Sequence, residues 1–90
     1  MFNGKKEDFE DNIKDCEKHI QMLHTKIENS LKVQDDCLNS IKQGTFKETY
    51  EKEYEDELVR YEDFKKALIN AEDFLSKLKK SYESNFSKQD

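Results

Sequence analysis

One short segment, Lys42-Gln43-Gly44-Thr45-Phe46, interrupts a chain that is otherwise helix-compatible from about Asp8 to Ser84 and holds no proline. Gly44 is the only glycine beyond Gly4, and it stands where a helix C-terminus needs a positive φ at little steric cost. Thr45 followed three residues later by Glu48 is a capping-box pattern, in which hydroxyl and carboxylate satisfy orphan amide donors of a new helix. A stop and a restart in adjacent residues predict an all-α fold: an antiparallel two-helix hairpin that joins a helical bundle with a partner. The expected elements are a helix over about 7–42, a turn at 43–45, a helix over about 46–84 and a flexible tail at 85–90, all in one domain.

The apolar positions support this reading. In the first arm Phe9, Ile13, Cys16, Ile20, Leu23 and Ile27 alternate spacings of four and three, the rhythm of a helix with one buried stripe. The stripe then steps by four to Leu31 and resumes through Gln34, Leu38 and Ile41. Consecutive four-residue steps are a stutter, which relaxes left-handed supercoiling. Met22 and Val33 fall beside the stripe and widen it. The second arm runs Phe46, Tyr50, Tyr54, Leu58, Tyr61, Phe64, Leu68, Ala71, Leu75, Leu78, Tyr82. It is acidic in its first half and ends on Lys77, Lys79 and Lys80, a polarity that complements one continuous helix dipole. Val59, Ile69 and Phe74 lie off this stripe and are read as a second apolar face.

Composition sharpens the class. Charged residues make up 41% of the chain and hydrophobic ones 33%, which suits long exposed helices. Such a hairpin has one seam and no enclosed centre, so the monomer is expected to be marginal. Ile20, Leu23, Ile27, Leu31, Tyr50, Tyr54, Leu58, Leu68, Leu75 and Leu78 form the expected partner interface. The net charge of −5 disfavours nucleic acid and anionic membranes, both of which recruit basic surfaces. No apolar run approaches the roughly twenty residues of a membrane span. The opening Met1-Phe2-Asn3-Gly4-Lys5-Lys6 lacks the hydrophobic segment of a secretory signal.

Catalysis and cofactors find little support. Cys16, His19 and His24 are the sole cluster resembling metal ligands, but no second Cys/His pair completes a tetrahedral site. The histidines read as solvated surface. Acid–base chemistry needs a dry pocket to shift a pKa, and a thin hairpin has nowhere to build one. No enzyme activity, metal or cofactor is therefore expected. Cys16 and Cys37 sit 21 residues apart on one arm, about 30 Å as a helix, too far for a mutual disulfide. They read as small buried or half-buried apolar residues, with intermolecular bridging as the alternative. Tyr50, Tyr54 and Tyr61 either fill the seam near the turn with their hydroxyls reaching water, or form a recognition surface.

The C-terminal segment carries one more feature. Phe86 and Asp90 are four residues apart, and a helical continuation would give them a face shared with Tyr82. An acid at a helix C-terminus opposes the dipole, so local stability does not account for it. With 21 acids in 90 residues the spacing is common; its place beyond the packed stripe gives it interest.

With these residues in view, the chain resembles the Trp-x-Gly superfamily of small type VII secretion substrates, which fold as helical hairpins. Gly44-Thr45-Phe46 through Tyr54 is similar to the glycine-plus-aromatic opening of their second helix. Tyr82 with Phe86 and Asp90 is similar to their C-terminal aromatic-x-x-x-acid export signal. Lys42 stands where the tryptophan would be, which points to a divergent branch associated with LXG toxins. The resemblance implies a non-catalytic targeting partner. It would bind the helical N-terminal domain of an LXG-type toxin, beside a second small helical protein, and present the export signal to a secretion ATPase. It further implies synthesis in the cytoplasm and export with the cargo without a cleavable signal peptide. The rival expectation is a coiled-coil structural subunit of a cytoplasmic trafficking or cytoskeletal complex.

Overall fold

The computed structural model describes residues 6–87. Two helices, α1 (Lys6–Gln43) and α2 (Lys47–Tyr82), fold back on each other, and a π-helical turn (Glu83–Ser87) closes the described chain. Pairing is antiparallel: Cys37 meets Glu53 near the turn, Cys16 meets Ala71, and Phe9 meets Tyr82 at the open end. The result is an all-α hairpin extending 66 × 18 × 16 Å. Each helix carries acid in its first turn (Glu7 and Asp8; Glu48) and base in its last (Lys42; Lys79 and Lys80), complementing both dipoles. Residues 85–87 of the expected tail belong to the π-helical turn, and residues 88–90 lie outside the described chain.

The reversal occupies Gly44–Phe46, one residue later than 43–45. Gly44 has φ +81° and its N–H donates to the Ile41 carbonyl at 3.0 Å, closing α1 as its lack of a Cβ permits. Phe46, not Thr45, is the N-cap of α2, and no side chain caps that helix end. The expected Thr45–Glu48 capping box is therefore not formed. The chain turns through a second left-handed residue, Phe46 at φ 52° and ψ 41°, which leaves Thr45 one position too early. The Phe46 carbonyl accepts the N–H of Tyr50 at 3.1 Å, starting the α2 ladder. A left-handed conformation costs a non-glycine residue roughly 1–2 kcal/mol, and the Phe46 ring is 73% exposed, so it recovers little by packing.

The seam follows one uninterrupted heptad phase. On α1 the buried residues Phe9, Cys16, Leu23, Ser30 and Cys37 recur every seven positions. Ile13, Ile20, Ile27, Gln34 and Ile41 form the companion row, half-buried except for buried Gln34. On α2 the matching rows are Tyr50, Glu57, Phe64, Ala71, Leu78 and Tyr54, Tyr61, Leu68, Leu75, Tyr82. Alternating steps of three and four hold the 3.5-residue period of coiled-coil packing. The expected stutter at Leu31 is absent, because Ser30 occupies the seam at 2% exposure while Leu31 is 44% exposed. Glu57 likewise replaces Leu58, at 6% against 36%, and Cys37 replaces exposed Leu38. Small side chains at Cys16, Ser30, Cys37 and Ala71 let the helices approach closely, and filling one such site with a leucine would overpack it.

Val59, Ile69 and Phe74 are all exposed but do not build one second face. Ile69 and Phe74 are five residues apart, roughly 140° around the helix, and point to different sides.

Candidate partner-binding surface

Three regions of the hairpin carry side-chain arrangements beyond simple seam packing. The first is the open end. The π-helical turn after Tyr82 brings Phe86 back onto the hairpin, with its ring centroid 5.3 Å from Phe9 at 73° and 5.4 Å from Tyr82 at 47°. Phe9 and Tyr82 meet at 6.4 Å and 62°, so Phe9 packs edge-to-face on both other rings, a favoured aromatic geometry, and the three form one cluster. The Tyr82 hydroxyl donates to Glu10 at 2.9 Å, and Asn85 Nδ2 donates to the Ser81 carbonyl at 2.7 Å. The hydrogen-bonded Glu10 carboxylate, with burial and the Glu10 charge, pushes the Tyr82 phenol up against a smaller opposing effect of Lys6.

Phe86 was expected to lie beyond the packed stripe; it is half-buried in this cluster instead. The extra residue in a π-helical turn supplies the change of phase that aims it inward. Asp90, the second half of the expected signal, lies outside the described residues.

The second region is a polar layer in the middle of the seam. Gln34 Nε2 donates to Ser30 Oγ at 3.4 Å, and the Ser30 hydroxyl bonds the Glu57 carboxylate. Arg60 holds the same carboxylate through Nη2 at 2.9 Å and Nε at 3.1 Å. The Ser30 bond is the largest influence holding Glu57 below its ordinary carboxylate range; burial opposes it, and the Arg60 hydrogen bonds and charge reinforce it. Every buried side-chain polar atom among the described residues has a partner. One helical turn away, Cys37 Sγ lies 4.0 Å from Glu53 Oε2. Burial, followed by the charges of Glu53, Glu57 and Asp36, pushes the Cys37 thiol up, which keeps it protonated and unreactive at neutral pH. Cys16 is also free and buried, with its thiol 3.5 Å from the Ala71 carbonyl.

Glu57 is the residue that stripe-reading missed. Counting sevens back from Ala71 and Phe64 reaches Glu57, but the adjacent Leu58 is the more apolar choice and draws the stripe one position off.

The third region is one flank of the hairpin. In an antiparallel pair, the positions four residues after the Ile13-to-Ile41 row of α1 and the Tyr54-to-Tyr82 row of α2 share a side. The Lys79–Glu17 ion pair at 3.6 Å spans that side near the open end. Leu31 and Leu38 of α1 and Leu58 of α2 lie on it, beside half-buried Ile27, Ile41, Tyr54 and Tyr61. Shallow depressions run along the same flank. One is lined by Glu10, Ile13, Lys14, Glu17 and Tyr82, another by Ile20, Glu72, Leu75, Ser76 and Lys79, and one near the turn by Asp35, Leu38, Ile41 and Lys42.

The opposite flank differs. There Lys26 lies 5.6 Å over the Phe64 ring, Arg60 folds onto Glu57, and a groove between Cys16, His19, Ala67 and Ala71 is edged by Asn12, Asp15 and Asn70. His19 and His24 are both exposed. Among the described residues no group of three or more His, Cys, Asp or Glu side chains could hold a metal ion, and no helix is long and apolar enough to cross a membrane.

Of the expected interface residues, Leu23 is buried, and Ile20, Ile27, Tyr50, Tyr54, Leu68, Leu75 and Leu78 are half-buried along the intramolecular seam. Leu31 and Leu58 leave the seam for the flank. No protein family, curated protein or solved structure matches the chain.

Proposed function

We propose that this chain is a non-catalytic targeting partner that binds the helical N-terminal domain of an LXG-type toxin and presents a C-terminal signal to a type VII secretion machine. The observation that supports the reading is the division of the hairpin into an unpartnered apolar flank and an aromatic end built from the C-terminal segment. The flank would extend a helical bundle with the cargo and a second small helical protein. The end, with Tyr82 and Phe86 ordered against Phe9 and Asp90 four residues on, would meet the secretion ATPase. Buried aromatic anchors supply most of the affinity in such contacts. The protein would be made in the cytoplasm and leave with its cargo, without a cleavable signal peptide.

The test is export of the co-expressed toxin from a strain carrying variants of this chain. Asp90→Ala should abolish export while cargo still co-purifies, since it leaves Phe9, Tyr82 and Phe86 unchanged. Phe86→Ala should abolish export and also lower the melting temperature, because its ring packs on Phe9. Normal export by the Phe86→Ala/Asp90→Ala double variant would remove the C-terminal segment from the mechanism. The unbroken heptad phase would then favour the second reading, a short coiled-coil subunit of a structural complex.

A further inference from the structure

We infer that the flank bearing Leu31, Leu38 and Leu58 is the docking face for an amphipathic helix of another protein whose apolar stripe is bordered by Lys or Arg. This deepens the partner-binding reading above and rests on it. Leu31 and Leu58 stand at one level of the hairpin, because the antiparallel register that sets Cys16 against Ala71 places their neighbours Ser30 and Glu57 opposite each other. Leu38 lies two helical turns beyond Leu31 toward the turn, in a depression shared with Ile41. Half-buried Ile27, Tyr54 and Tyr61 fill the space between, so the apolar strip continues over both helices. The opposite flank offers no equivalent, since Lys26 and Arg60 lie across it.

Charge selects the occupant. Glu28 and Asp35 border the strip on α1, and Glu51, Glu55 and Glu62 border it on α2, all of them exposed. Of these, Glu62 pairs with Lys65 at 3.7 Å; Glu28, Asp35, Glu51 and Glu55 form no ion pair with another described residue. Lys65 itself lies 5.0 Å over the Tyr61 ring, and Lys42 stands at the turn end of the strip. The border is therefore acidic over the length from Ile27 to Ile41. A helix flanked by cations complements it, whereas a second copy of this chain would bring the same acids against it. At the other end of the flank, Lys79 is already held by Glu17, so an antiparallel copy gains little compensation.

The experiment uses the full 90-residue chain and two labelled helical peptides of about 18 residues, ~27 Å long as helices. Both peptides carry the same leucine stripe; one is flanked by lysine and the other by glutamate. Fluorescence anisotropy should show the lysine peptide binding at least tenfold tighter, with affinity falling as salt rises. Leu31→Gln/Leu58→Gln should weaken it tenfold or more, and Glu28→Gln/Asp35→Asn/Glu55→Gln should weaken it and flatten the salt dependence. Val33→Gln/Phe74→Gln, on the opposite flank, should leave binding unchanged. All substituted residues are exposed, and helical circular dichroism checks that each variant folds.

Equal binding of both peptides, no binding of either, or binding insensitive to Leu31 and Leu58 would overturn the inference. So would sedimentation showing that the chain dimerises and that Leu31→Gln/Leu58→Gln dissolves the dimer, which would make a second copy the occupant. Asp90→Ala should bind the lysine peptide normally. Intact peptide binding with intact export by the Phe86→Ala/Asp90→Ala variant would therefore remove only the secretion reading, and lost peptide binding with export abolished as expected would remove only the docking face.

Discussion

The open end and the middle of the seam are held by different chemistry. At the open end Phe9, Tyr82 and Phe86 pack ring against ring, and Phe9 is buried. In the middle Ser30, Gln34, Glu57 and Arg60 form a hydrogen-bonded polar layer between helices that elsewhere bury carbon. Apolar contact is indifferent to register along a helix, because neighbouring turns offer similar surfaces. A buried carboxylate must find its partners at one alignment and contributes little net stability otherwise. The aromatic end thus supplies affinity between the arms, and the polar layer discriminates among the ways they could align.

Truncating the aromatic end should have the largest effect. Phe9→Ala should destabilise the hairpin by about 3 kcal/mol, the lower part of the range for buried phenylalanine, read by thermal unfolding. Half-buried Phe86→Ala should cost visibly less. Equal and negligible losses at both positions would show that the end frays and contributes no affinity.

The polar layer should respond with a sign that depends on how it is altered. Glu57→Ala strands the Ser30 hydroxyl and should cost about 1–3 kcal/mol. Ser30→Ala/Glu57→Leu removes both partners and should be neutral or stabilising, while loosening the alignment of the arms. Disulfide trapping between cysteines placed along α1 and α2 would read that alignment. A double variant with one sharp trapping register would deny the layer its discriminating role.

Acid should distinguish the same regions. Glu57 is held below its ordinary value of 4.5, so its contribution is complete above that pH and is lost as pH falls through the lowered folded value. The melting temperature of the native chain should drop more steeply below pH 4.5 than that of Glu57→Gln, whereas Phe9→Ala should retain the native slope. Parallel curves for native and Glu57→Gln chains would place the acid sensitivity elsewhere.

The smallest effect belongs to the turn that joins the regions. Phe46→Gly relieves a left-handed phenylalanine and should stabilise by at most about 1 kcal/mol, since glycine also gives the unfolded chain more freedom. A loss of stability would mean that the exposed ring makes contacts worth more than its strain.

Three adjacent pairs show where reading the sequence fell short. At Ser30/Leu31, Cys37/Leu38 and Glu57/Leu58 the leucine is the more hydrophobic neighbour, yet the seam takes the other residue each time. Neighbouring positions on a helix differ by roughly 100°, so hydrophobicity alone pulls the stripe toward leucine. The phase is set instead by two helices packing over their whole length, with Phe9, Leu23, Phe64 and Ala71 already committed. Small or hydrogen-bonded residues then fit the close approach, and the leucines are left facing outward. That displacement creates the apolar flank, which no single stripe could have revealed.

The sequence by itself determined that the chain is two helices, because no residue between Lys6 and Lys42 or after Phe46 opposes helix formation strongly. It also determined the reversal, because Gly44, between those two stretches, accepts a positive φ at little cost. Tertiary structure decided the cap, placing Phe46 where Thr45 was expected, and it drew Phe86 inward through a π-helical turn. It also decided which member of each leucine pair is buried. Local propensity acts over a few residues and can be read along the chain. Packing phase is a property of both arms together, and it exists only once they meet.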